Sequence, residues 1–84
     1  MMKMEIVMIK KEGCMPCKTF RPTIEKYALE NSLEFRTVKA EDMPENIRPP
    51  FYPYFYLRSG NDVLDEWGGT NKRKMESIIK RNLK

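Results

Sequence analysis

The sequence contains no histidine. That absence excludes imidazole general-base catalysis, His-paired serine or cysteine nucleophiles, and every zinc site that uses imidazole. Cysteine is nearly as scarce. Cys14 and Cys17 are the only two, too few for the disulfide scaffold of a small secreted domain. No apolar run approaches the ~20 residues that span a bilayer, so an integral membrane protein is not expected. Between Met1 and Lys11 the only unbroken apolar run is Ile6 to Ile9. A signal sequence needs ~7–15 apolar residues and a small-residue cleavage site. The expected compartment is therefore the cytoplasm. Repeats, linkers and low-complexity tracts are also missing, and 84 residues leave no room for a second domain. A single domain over residues 1–84 is expected, and a chain this short buries only ~60–65% of its unfolded surface.

What is present is a polar but foldable composition. Charged residues reach 33%, yet four Tyr, four Phe and one Trp remain to fill a core, which places the chain outside the disordered class. The formal charge is +4. The segment from Thr70 to Lys84 carries six basic residues and one acid, so the rest of the chain is close to neutral. No aromatic residues alternate with those charges, so a base-stacking platform is missing and nucleic acid is not an expected partner. A solvated helix face is the expected reading.

Met4 to Ile9 reads as a strand whose run Ile6-Val7-Met8-Ile9 is apolar on both faces, as for a central strand covered by helices. Lys10 to Gly13 reads as a loop. In Cys14 to Glu30, the residues Cys17, Phe20, Ile24, Tyr27 and Ala28 recur at helical spacing. Pro16 suits a first turn, whereas Pro22 should kink the helix. Leu33 to Val38 is a strand with charges on both faces, the mark of a sheet edge. Three prolines between Ala40 and Pro50 exclude a long helix there; one turn around Met43 to Ile47 is expected. Tyr54 to Leu57 and Asp62 to Trp67 flank a tight turn, Arg58 to Asn61, and should pair antiparallel. Thr70 can cap a last helix, Asn71 to Leu83, with the core stripe Met75, Ile78, Ile79 and Leu83. The order is β-α-β, then β-β-α: an α/β fold with a four-stranded mixed sheet flanked by helices, its first unit a right-handed parallel crossover.

The chemistry sits in Cys14-Met15-Pro16-Cys17, where a strand hands over to a helix. Disulfide exchange needs a thiolate, and a helix N-terminus stabilises one through its unpaired N–H groups and dipole. Cys14 lies at that end, with Lys10, Lys11 and Lys18 nearby. Cys17, three residues on, is within bonding reach and able to resolve a mixed disulfide. Pro16 restrains the ring. A Cys-x-x-Cys pair is also half of a four-ligand zinc site, but the chain holds no other Cys or His to complete one, so no metal is expected. Two inert core cysteines are the other bland reading.

The chain resembles the thioredoxin/glutaredoxin family over nearly its whole length. The likeness rests on the Cys-x-x-Cys opening the first helix, a proline five residues after the second Cys (Pro22), a proline opening the third strand (Pro53), and the pair Gly68-Gly69 before the last helix. The resemblance implies a thiol–disulfide oxidoreductase with Cys14, Cys17 and Pro53 as catalytic residues and a redox-active Cys14–Cys17 disulfide in place of a bound cofactor. It implies a cis Tyr52–Pro53 bond that leaves the Tyr52 backbone free to pair with an extended client segment. Lys10, Met15, Pro16, Tyr52, Gly69 and Thr70 then line the substrate surface.

Some residues depart from the family pattern. Gly13 stands where thioredoxins usually carry Trp, and Met8 where they carry a buried acid. Lys10 matches a glutaredoxin lysine that meets a glutathione carboxylate, while Asn71 replaces an Asp of the glutaredoxin pair. The implied partners are disulfide-containing protein clients, ribonucleotide reductase among them, with a thioredoxin reductase or glutathione as electron source, and the protein is expected as a monomer. A glutathione-dependent glutaredoxin and a non-catalytic binding module with a structural disulfide are the alternatives.

Overall fold

Four strands and two helices account for most of residues 4–83, the part of the chain that the computed structural model describes. Strand β1 (Met4–Lys10) leads into helix α1 (Met15–Glu30), which returns to strand β2 (Glu34–Lys39). Two 3-10 turns, Ala40–Asp42 and Glu45–Ile47, follow. Strands β3 (Tyr54–Ser59) and β4 (Asp62–Gly68) form a hairpin, and helix α2 (Lys72–Leu83) closes the fold. The sheet order is β2-β1-β3-β4, with β1 parallel to β2 and antiparallel to β3. This is the mixed four-stranded sheet that the element order predicts, with β2 at an edge.

The apolar spacing of α1 translates directly into packing. Cys17, Phe20, Ile24, Tyr27 and Ala28 are its buried residues. They meet Ile6 and Met8 of β1, Phe55 and Leu57 of β3, Trp67 of β4, and Met75, Ile78 and Ile79 of α2 in one core. Phe55 is the hub: its ring stacks on Trp67 at 5.2 Å and meets the edge of Phe20 at 5.8 Å. Helix α1 continues through Pro22, which faces outward, and ends at Asn31, whose side-chain amide donates to the Tyr27 carbonyl at 2.8 Å.

The structure corrects several sequence expectations. Both helices pack on one face of β1, that of Ile6 and Met8. Its other face, Val7 and Ile9, is covered by Ala40 and Met43 of the loop and by the half-buried Tyr52, Tyr54 and Tyr56. An apolar run therefore marks burial on both sides without specifying a helix on each. Lys10 ends β1 instead of opening the loop. The single turn around Met43 to Ile47 is two separate 3-10 turns, because Pro44 divides them. Leu83 is 39% exposed and does not belong to the α2 stripe, which stops at Ile79. Of the residues in the hairpin turn only Gly60 has positive φ, at 61°, and a register shift beyond Leu57 leaves β4 with a bulge.

Thr70 is not the cap of α2. Asn71 is: its Oδ1 accepts the Lys74 N–H at 3.0 Å. The far end of α2 is tied to the sheet through Asp65, whose Oδ2 accepts from Arg81 Nη2 at 2.6 Å and Nε at 3.0 Å, and from Asn82 Nδ2 at 3.2 Å. The Arg81 hydrogen bonds hold the Asp65 carboxyl below its ordinary range, against a smaller opposing effect of burial. A depressed carboxylate stabilises the fold above its unfolded pKa, and that contribution is lost as pH falls through the folded value. Asp65→Asn is expected to cost about 1 kcal/mol near neutral pH, since Arg81 is largely exposed and solvent screens the pair. In urea denaturation series the gap between variant and wild type should close below about pH 4; a gap independent of pH would contradict this role.

Candidate active site

Helix α1 begins at the motif. Cys14 is its N-cap residue, in extended conformation at φ −80° and ψ 101°, and Pro16 falls within the first turn. An N-cap side chain faces the free N–H groups of the first turn. Here that side chain is the sulfur: Cys14 Sγ accepts from the Cys17 N–H at 3.2 Å. The two cysteines are joined in a disulfide, with their Cα atoms 5.3 Å apart. They are not equivalent. Cys14 is half-buried, while Cys17 is 2% exposed and belongs to the main core. The sulfur open to attack is thus the one at the positive end of the helix.

Pro53 is buried and follows a cis Tyr52–Pro53 peptide. Its carbonyl accepts the Gly69 N–H at 2.9 Å, which ties the loop before β3 to the end of β4. The two adjacent glycines serve different needs. A Cβ on Gly68 would run into the ring of Phe51 and that of Tyr54, so the position needs space. Gly69 has open space around it but adopts φ +87°, which a side chain disfavours.

Two surfaces flank the disulfide. On one side Met15, Pro16, Thr19, Phe20, Thr23 and Thr70 form an open, largely apolar groove, with Met15 65% exposed. Of the sequence-predicted substrate residues, Met15, Pro16 and Thr70 therefore come together. Tyr52 is half-buried against both core clusters, and Gly69 is bonded to the next residue, Pro53. On the other side lies a cleft of about 320 Å³ bordered by Cys14, Cys17 and Met8. Lys10 belongs to this cleft and not to the groove.

Five cations line the cleft: Lys10, Lys11, Lys18, Arg21 and Lys39. Glu12 and Glu41 are its two acids. The Glu41 carboxylate accepts the Glu12 N–H at 3.1 Å, and this bond, with its own backbone N–H and the nearby Lys39 and Arg48, holds its pKa below the ordinary value. Sequence reasoning missed Arg21 and Lys39. Arg21 was accessible to it, because Cys14, Lys18 and Arg21 recur at helical spacing on α1. Lys39 was not, since it reaches the site only through the register of β2. Met8 is 1% exposed and supplies no proton acceptor for Cys17. The cations instead favour the thiolate directly. Among the described residues no group of three or more His, Cys, Asp or Glu could hold a metal ion, and no helix is long and apolar enough to cross a membrane.

A disulfide at the N-terminus of a helix, with one cysteine half-exposed and the other buried, is the arrangement of a thiol–disulfide oxidoreductase site. No family model matches the chain. A thioredoxin of Ophiophagus hannah is 29% identical over 83 residues, covering 94% of this chain and 79% of the relative. Among solved structures, thioredoxin f2 of Chlamydomonas reinhardtii superposes with a TM-score of 0.84 at 19% identity, over 96% of this chain and 80% of that one. A chain from the complex of ferredoxin:thioredoxin reductase with thioredoxin f2 also reaches 0.84, at 15% identity, over 98% and 79%. In sequence and in fold the chain is similar to thioredoxins, and its Cys14–Cys17 disulfide is that of a dithiol–disulfide oxidoreductase.

Proposed function

We propose that the protein reduces disulfides in protein clients in the cytoplasm, and that a thioredoxin reductase returns it to the dithiol form. The observation that carries this reading is the asymmetry of the pair: Cys14 is half-exposed and its Sγ accepts a first-turn N–H, while Cys17 is buried. In the dithiol state the Cys14 thiolate attacks one sulfur of the client disulfide. The client S–S bond breaks, its other sulfur leaves as a thiolate and takes a proton from water, and a Cys14–client bond forms. The Cys17 thiolate then attacks Cys14 Sγ, expelling the second client thiol and closing the Cys14–Cys17 disulfide. Two electrons pass to the client. Pro53, Tyr52, Gly69 and Thr70 border the path along which an extended client segment would lie, and Met15 and Pro16 rim it. Ribonucleotide reductase is a client that the family resemblance suggests.

Glutathione is the weaker electron source on this reading. Lys10 could meet a carboxylate, but Asn71 stands in place of an acid and its Oδ1 is already engaged as the α2 cap. A missing charge-assisted bond is worth ~1.5–3 kcal/mol, roughly ten- to a hundredfold in affinity. Insulin reduction should proceed with dithiothreitol, and with NADPH and a thioredoxin reductase. With glutathione and glutathione reductase it should be at least about tenfold slower. Faster turnover with glutathione would make the protein a glutaredoxin in function. No insulin reduction with any donor would favour a binding module with a structural disulfide.

A further inference from the structure

The cleft beside the disulfide carries more positive charge than its own two acids, Glu12 and Glu41, offset. Strands β1 and β2 run parallel and end together, with Lys10 directly opposite Lys39. Like charges facing each other across a sheet are destabilising. At the other end of the same strand pair Glu5 faces Glu34, but there Arg36 offsets the like charges, its Nε donating to Glu5 Oε1 at 3.1 Å. Among the described residues the ion pairs are Arg21–Glu25, Arg36–Glu5 and Arg81–Asp65, and none engages Lys10, Lys11, Lys18 or Lys39. The carboxyl ends of the two parallel strands also point toward the start of α1, whose free N–H groups add positive potential.

We propose that this cleft receives the carboxylates of an acidic client segment lying next to the client's reactive disulfide. The inference rests on the disulfide-reductase reading above and names the class of client it favours. Cys14 and Cys17 form one wall of the cleft, so a carboxylate bound by Lys10 and Lys39 is held beside the reacting sulfurs. The volume of about 320 Å³ suits one or two acidic side chains and not a folded element. The separate groove lined by Met15, Pro16, Phe20 and Thr70 is then free for the rest of the segment. Binding relieves the Lys10–Lys39 repulsion, so the charge cost built into the sheet becomes selectivity for acidic partners.

Three peptides sharing one disulfide and flanked by Glu, Gln or Lys test this. The rate of exchange with the reduced protein is measured by stopped flow at about 0.01 M salt and at about 1 M salt, where charges are screened beyond about 30 Å and about 3 Å. At low salt the Glu peptide is expected to react about tenfold or more faster than the Gln peptide, with the Lys peptide slowest, and at high salt the three should converge. Lys10→Gln with Lys39→Gln should reduce the Glu-to-Gln ratio at low salt to within about twofold, whereas Lys74→Gln, on α2, should leave that ratio intact. Should the double variant not fold, the salt series on the wild type and Lys39→Gln alone carry the test. Equal rates for the Glu and Gln peptides at low salt, with both reduced, overturn the charge selectivity and leave the reductase reading standing. Failure to reduce any peptide overturns both.

Discussion

Cys14→Ser is expected to lose disulfide reduction altogether, down to the uncatalysed rate, while Cys17→Ser loses turnover but accumulates a covalent adduct with its client at Cys14. The two cysteines differ by one helical turn in depth. Cys14 is half-exposed, its Sγ accepts an N–H of the first turn, and it borders a cleft lined by five cations. Each of these features favours its thiolate, so its alkylation should reach half its maximal rate below the ordinary thiol pKa of about 8.5. Cys17 is 2% exposed and can react only with a sulfur already placed on Cys14. Intact-protein mass spectrometry of Cys17→Ser mixed with oxidised insulin should find the mixed disulfide. Limiting iodoacetamide on the reduced wild type should label Cys14 first. Preferential labelling of Cys17, or a stable adduct on the Cys14→Ser variant, would reverse the assignment of attacking and resolving roles.

Phe55→Ala is expected to have the largest effect on stability of any single substitution in the sheet. Phe55 is fully buried in the central strand pair, stacked on Trp67 and edge-on to Phe20. Removing such a ring costs about 3–5 kcal/mol through lost burial and the cavity left behind, against a total of about 5–15 kcal/mol for a domain of ordinary stability. The melting temperature should fall by more than about 12 °C, at roughly 4–8 °C per kcal/mol for a chain of this size. Phe55→Leu, which refills most of the space, should cost much less. Since β3 begins one residue after Pro53, the alanine variant should lose insulin reduction in step with its folded fraction. A loss of only a few degrees would mean that α1 and α2 close over the gap, and that the core is less dependent on the aromatic stack than its geometry implies.

The motif, the two helices and the hairpin were legible in the sequence because each depends on local rules. Apolar residues at helical spacing from Cys17 to Ala28 select one face of a helix whatever lies opposite, and the structure buries that same set. The Cys-x-x-Cys spacing places two sulfurs on one turn by helix geometry alone. The hairpin follows from Gly60 and Asn61 between two strands. The family likeness singled out Pro53 and Gly69, and in the folded chain the Gly69 N–H donates to the Pro53 carbonyl.

The tertiary structure decided what depends on register and on competition between neighbours. Thr70 and Asn71 are both good caps, and only the observed start of α2 selects Asn71. The run Ile6 to Ile9 required cover on both faces, yet which face received the helices was set by β2-β1-β3-β4 order, which leaves Val7 and Ile9 to the proline-rich loop. Lys39 lies 29 residues beyond Lys10 in the chain and reaches the disulfide only because parallel pairing brings the two strand ends level. Side-chain chemistry within one turn is a property of the sequence; the charge facing the reactive sulfurs is a sum over separate strands, and only the folded sheet adds them together.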